Sequence, residues 1–338
     1  VIAAILSAAA LIGAGIALSH TVSCFLLAFV IAYLLEPYVV LLEKRRCSRL
    51  LAISIIYLQL AVLSIFVVAY LVPFLNLRWE SLVRELPHYL QKGKEIVLGW
   101  QGNLSSTYTN DEWRWLFGKI TGSFDRLLGK FGAGVYAAAT SFAFNLFNLV
   151  LAPILVFFML LYKQEVLNGV IGWIPASRRE MFIELGREIN ASIGGYIRGQ
   201  LIVSLIVAIL STLALMALDI DYPLLNGIFA GLASILPFIG VILATLPPLF
   251  FAYIKFQSGL MLVKVLGLFS IIYFLEGYLV KPLVFKEAMD LNPLMTIIVV
   301  MAFGELMGFW GIVLAIPIAA SVKIIAYHLR RGDFSGGA

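Results

Sequence analysis

The stretch ILPFIGVILATLPPL, Ile235–Leu249, decides how the rest of the chain is read. It is apolar enough to sit in a lipid bilayer, yet it holds Pro237, Pro247, Pro248 and Gly240. A proline in a helix interior removes a donor and collides with the preceding turn, at about 3 kcal/mol or more. A membrane segment of this composition is built to break.

The surroundings establish that the setting is a membrane. The chain has 338 residues, 62% hydrophobic and 13% charged, with a mean hydropathy of +1.00; a soluble domain is about 25% charged. LLAISIIYLQLAVLSIFVVAYLVPFL (50–75) and LIVSLIVAILSTLALMAL (201–218) are each long enough to cross a hydrocarbon core of about 30 Å as a helix. The fold class is therefore an all-α, polytopic helical membrane protein. Cys24 and Cys47 have neither metal-ligand nor redox spacing and make no disulfide framework. The opening from Val1 lacks the basic n-region of a cleavable signal and reads as a transmembrane segment.

Apolar runs predict crossings at about 1–18, 20–42, 50–76, 133–162, 193–218 and 258–280. The polar-apolar stretch 77–132 carries four of the six tryptophans, Trp79, Trp100, Trp113 and Trp115, as an interfacial segment would. Basic residues of short loops set orientation. Lys44, Arg45, Arg46 and Arg49 place one loop in the cytoplasm, so 77–132 lies outside. Arg178, Arg179 and Arg187 return 163–192 to the cytoplasm, where Ser177 and Glu180 form a capping-box pattern at the start of an amphipathic helix. Asp219 and Asp221 then face outward, while Lys281, Lys286, Lys323, Arg330 and Arg331 face inward.

The pieces 223–253 and 292–325 are apolar but broken. Leu224–Leu236 is 13 residues, about 20 Å of helix, too short for a span of roughly 20 residues. A hairpin entering from outside and turning at Pro237–Gly240 returns the chain to the outside, and the crossing 258–280 then runs inward and places Lys281 and Lys286 on the basic side. The second piece, from Pro293, turns near GELMGFWG, where Gly304, Gly308 and Gly311 cluster, and Pro317 interrupts its return limb. Six crossings plus two re-entrant hairpins of opposite entry satisfy every basic cluster; eight or more full crossings fit the lengths less well. Transporters use such broken helices to place helix ends at a midplane site. The plain structural alternative is two ordinary helices kinked by proline.

In their order along the chain, LLAFVIAYLLEPYVVLLEKRR, GGYIRGQ, ILPFIGVILATLPPL, LEGYLVKPLVF and LNPLMTIIVVMAFGELMGFWGIVLAIPIAA resemble the autoinducer-2 exporter family of bacterial membrane proteins. The resemblance covers nearly the whole chain and is weakest over 77–132. It implies a multi-pass exporter of small solutes in the bacterial cytoplasmic (inner) membrane, a homo-oligomer, and elevator-like movement of the hairpin-bearing part. It also admits monovalent cation (sodium or lithium)/proton antiport. The family's motif positions fall on Gln200, Pro237, Gly240, Glu276, Pro282, Asn292, Pro293, Gly308, Gly311 and Pro317. The family tends to carry a small or apolar residue at the position of Glu305, which makes Glu305 a specialisation.

Four polar residues are candidates for substrate, ion or coupling roles. Glu305 lies 13 residues beyond Asn292, deep in the second hairpin, where a charge costs at least about 2.5 kcal/mol on insertion scales and is functional by default; its alternative is a water-exposed tip. Glu276 lies five residues before Lys281, and a local ion pair competes with a functional role. Gln200 donates either across helices or to a substrate. Asn292 caps the first limb or serves a ligand.

The resulting division is 1–76 as N-terminal transmembrane helices, 77–132 outside, 133–162 as a crossing and 163–192 in the cytoplasm. A transport core follows at 193–330, and a polar tail at 331–338. Motifs for zinc hydrolysis, diphosphate chemistry, nucleophilic triads and phosphate loops do not occur. The sequence therefore reads as no enzyme, with no cofactor, no metal and no nucleic-acid partner. The partners are the lipid bilayer and a small solute, or a monovalent cation and a proton. A structural or assembly role for the hairpins is the third class.

Overall fold

The computed structural model describes residues 19–105, 115–123, 125–126, 151–285 and 292–331. The expected crossing 1–18, the first part of 133–162, Trp113, Lys286 and the tail from 332 lie outside the described residues. Among those described, secondary structure is helical throughout, with no strand.

The first two helices, α1 (Ser19–Lys44) and α2 (Arg49–Phe66), antiparallel across the basic loop, pack with α4 (Leu151–Leu161). Small and branched residues (Ala28, Ala32, Val39, Ala52, Ile53, Val156) and Leu160 form that core. Beyond α2 the chain does not leave helical geometry. A π-turn at Val67–Leu71 leads directly into α3 (Val72–Ser105), so the expected interfacial segment begins as a helical arm on the end of α2. The chain bends by 58° between α4 and the exposed α5 (Lys163–Gly172).

Two expectations for the next segment are corrected. Ser177 does not cap a helix; it lies within the 3₁₀ turn Ala176–Arg178, and α6 (Arg179–Ala217) starts behind Arg178 with no side-chain cap. The amphipathic stretch and the following crossing are also one helix of 39 residues, because no proline interrupts the i→i−4 ladder between them. Helix α6 is the spine of the second core. Around it stand α7 (Pro223–Ala233), α8 (Ile239–Phe256), α9 (Gly259–Leu275) with its π-turn Glu276–Val280, and α10 (Lys281–Phe285). Helix α11 (Pro293–Arg331) completes the described chain.

Among the described residues, six helical stretches are long and apolar enough to cross a membrane: Val22–Lys44, Arg49–Tyr70, Ala176–Ala217, Ile239–Phe256, Gly259–Phe285 and Pro293–Arg331, the last of them broken at Gly308. Four coincide with crossings read from the sequence. The other two belong to the broken segments, and the bent pair α4–α5 supplies a seventh candidate. The molecule is a polytopic all-α membrane protein.

Candidate functional site

Both broken segments turn the chain back on itself. In the first, α7 ends at Ala233, residues 234–238 turn, and α8 returns. Phe238 holds φ of 62° at the end of the turn, an uncommon conformation for a bulky residue. Gly240 follows because a Cβ there would stand 2.0 Å from the Ala233 carbonyl oxygen. The two ends meet as well: Tyr222 packs on Phe251 with ring centroids 5.6 Å apart, and Lys255 Nζ lies 3.0 Å from both Asp219 Oδ2 and Asp221 Oδ1. The break falls at Pro237, whereas Pro247 and Pro248 lie inside α8 without ending it.

The second segment is helical along its length except at Gly308, whose φ of 59° and ψ of −136° are open to glycine and little else. A straight helix separates residues 303 and 311 by about 12 Å. Here a Cβ at Gly311 would stand 1.8 Å from the Phe303 carbonyl oxygen, and one at Gly304 would stand 3.0 Å from Ile312 Cγ1. The limbs therefore fold back tightly at Gly308, and the three glycines let backbone meet backbone. Pro293 opens the first limb, and Asn292 Oδ1 accepts from Leu294 N at 3.0 Å in capping geometry. Pro317 is buried in the return limb but does not interrupt it; the Ser321 hydroxyl donates to its carbonyl at 2.8 Å.

The four polar candidates separate. Gln200 and Glu276 are turned to protein contacts. Gln200 Nε2 donates to the Ser234 carbonyl at 2.8 Å, the Ser204 hydroxyl donates to the Gly231 carbonyl, and the Ser234 hydroxyl reaches Gly231 O at 2.7 Å. These donors satisfy carbonyls that the end of α7 leaves free. They bolt α7 to α6, as do Gly227 and Gly231, where a Cβ would fall 1.9 Å from Thr212 Oγ1 and 2.6 Å from Ser204 O. Glu276 is 4% exposed, with Oε1 3.0 Å from Lys281 Nζ. The π-turn makes this pair: residues five apart diverge by about 140° on an α-helix, and the wider turn brings them onto one face. Glu305 and Asn292 are exposed, and Glu305 has no ion pair with another described residue. The structure does not bring the four into one cluster.

Two charged assemblies went unread in the sequence. At one end of the first core, Glu36 lies 3.1 Å from Arg49 and 2.9 Å from Lys163, and Arg49 also reaches Glu43 at 3.2 Å and the Leu160 carbonyl at 2.6 Å. The signal was a carboxylate inside an apolar run, before Pro37. On the other core, the arm α3 meets the base of the first hairpin. The Tyr89 hydroxyl donates to Asp221 Oδ2 at 2.8 Å, and the Tyr222 hydroxyl to Glu85 Oε2 at 2.7 Å. Burial first, and then the hydrogen bond to Asp221, push the Tyr89 phenol above its ordinary value.

Comparison with known proteins turns this architecture into an identity. The family model described as AI-2E family transporter matches residues 1–331. The chain belongs to the AI-2E transporter family. Among its relatives, PerM of Escherichia coli (strain K12), named as a permease, is 30% identical over 92% of this chain and 88% of its own length. YrrI of Bacillus subtilis (strain 168), named as a transport protein, is 27% identical over 89% and 84%. TqsA of Escherichia coli (strain K12), named as an AI-2 transport protein, is 25% identical over 91% and 86%. This AI-2E family member is a multi-pass membrane transporter of bacterial type, and these three relatives carry permease or transport names.

Proposed function

We propose that this AI-2E family member is a secondary exporter of a small polar solute, autoinducer-2-like, carried by an elevator-type movement of its hairpin-bearing helices. The pair of glycine-tipped hairpins carries this reading. Non-helical backbone at membrane depth persists where protein or a water-filled cavity surrounds it, and discontinuous helices are how transporters offer helix ends to a solute near the midplane. The name of TqsA supports a solute of the autoinducer-2 kind.

On this reading the transport core is 193–330, with basic loops and C-terminus in the cytoplasm and the chain assembled as a homo-oligomer. Glu305, three residues before the Gly308 turn, is the candidate ligand or coupling group, because an exposed carboxylate without an ion-pair partner among the described residues is placed to engage a hydroxylated solute. Asn292 caps the limb that carries it. Gln200 and Glu276 act by holding the core together. Neither the relatives' names nor the geometry favours sodium or lithium/proton exchange over solute export.

The test uses purified protein in liposomes loaded with autoinducer-2, with a pH-sensitive dye in a parallel set under an imposed proton gradient. Saturable solute efflux above that of empty liposomes supports the proposal. Proton movement that depends on sodium or lithium, without solute efflux, replaces it with antiport. Neither flux in folded protein leaves the structural or assembly role.

A further inference from the structure

The first hairpin is gripped on two sides, and the two grips differ in kind. Toward α6 the contact is backbone on backbone. Cβ atoms at Gly227 and Gly231 would fall within 2.8 Å of Ala208 and Ser204 carbonyl oxygens, and Gln200 and Ser204 close the seam with buried hydrogen bonds. Nothing slides along a surface this close, since any shift drives glycine backbone into a neighbouring turn.

Toward the arm α3 the grip consists of side-chain tips. Two phenol–carboxylate hydrogen bonds cross it in opposite directions, Tyr89 to Asp221 and Tyr222 to Glu85. Rings supplement them: Tyr89 meets Phe251 edge-on at 5.3 Å, and Trp100 meets Tyr253 at 5.4 Å. The Tyr222–Glu85 bond is exposed to solvent and the Tyr89–Asp221 bond partly so, so water replaces each partner as the contact opens. Lys255 ties Asp219 and Asp221 to α8, which keeps the acceptor for Tyr89 on the hairpin's side. The arm itself is continuous with α2, whose Ala52, Ile53 and Ile56 are buried in the other core.

We infer that Glu85, Tyr89, Asp221 and Tyr222 form a reversible latch, and that the moving boundary of the transporter runs between the arm and the first hairpin while α6, α7 and α8 travel as one body. The latch carries transport as the proposal above describes it, and so rests on that reading; its own test does not need the solute. Spin labels at Gln91 on the arm and Ile228 on α7 report the latch. Labels at Leu213 on α6 and Ile228 report the seam. Both pairs are measured by electron–electron double resonance in full-length protein in liposomes, diluted with unlabelled protein. The expected result is two distance populations across the latch and one across the seam, with Tyr89→Phe plus Tyr222→Phe raising the separated latch population at least twofold. A single latch population unmoved by the double substitution overturns the inference, as do two populations across the seam. Absence of autoinducer-2 efflux with a two-state latch counts against the solute alone.

Discussion

Replacing Gly311 by alanine gives opposite signs for a folded-back and a continuous second segment. If 293–331 were one straight helix, Gly311→Ala would relieve a glycine in a helix interior and stabilise by about 0.8–1.0 kcal/mol. In the hairpin the new Cβ stands 1.8 Å from the Phe303 carbonyl oxygen and 3.0 Å from Met307 Cβ. The limbs must part by more than 1 Å, and the obstacle is backbone that cannot rotate away; overpacking of this kind costs about 1–3 kcal/mol. Gly267→Ala, in the interior of α9 with nothing within 4 Å of its Cβ, is the matched control and gains about 1 kcal/mol. Thermal unfolding of purified protein in detergent reads both, at roughly 2 °C per kcal/mol for a chain of this size. Gly311→Ala should melt about 2–6 °C below the parent and Gly267→Ala about 2 °C above it. Equal upward shifts would refute the fold-back at Gly308.

Gln200→Leu leaves the Ser234 carbonyl buried without its donor and should lower stability by about 1–3 kcal/mol, seen as earlier thermal unfolding. Lys281→Met strands a carboxylate that is 4% exposed; because Lys281 itself is 41% exposed, the loss should be about 2 kcal/mol rather than the full cost of a broken buried pair. Adding Glu276→Gln should recover most of it in a double-mutant cycle. Glu305→Gln should change stability by less than about 0.5 kcal/mol while abolishing solute efflux from liposomes; unchanged efflux at every pH removes Glu305 from the site. The raised Tyr89 phenol makes its latch contribution complete below the ordinary tyrosine value of 10.0 and lost only as pH climbs through the higher folded value. The arm's hydrogen-exchange protection, after correction for intrinsic rate, should therefore stay level between about pH 7 and 9.

Much of this architecture was legible because a bilayer imposes few choices. Apolar length separates full crossings from the short limb Leu224–Leu236, and the glycines at 304, 308 and 311 mark a tip because close backbone approach has few other solutions. What escaped was set by partners distant in sequence. Pro247, Pro248 and Pro317 look like breaks, but a membrane helix tolerates proline where neighbours satisfy the freed backbone. Nothing local says that Gln200 meets Ser234, 34 residues on, or that Tyr89 reaches Asp221 across 132 residues. The Glu276–Lys281 pair was visible as a spacing; the π-turn that closes it was not.

The most direct test of hairpin-based transport asks from which side of the membrane the second tip is reached. Glu305→Cys in a chain with Cys24→Ala and Cys47→Ser, reconstituted in one orientation, is exposed to an impermeant thiol reagent added outside or trapped inside the liposomes. Alternating exposure of the tip predicts labelling from both sides, with the ratio shifted by autoinducer-2. Labelling from one side only, unchanged by solute, would contradict it.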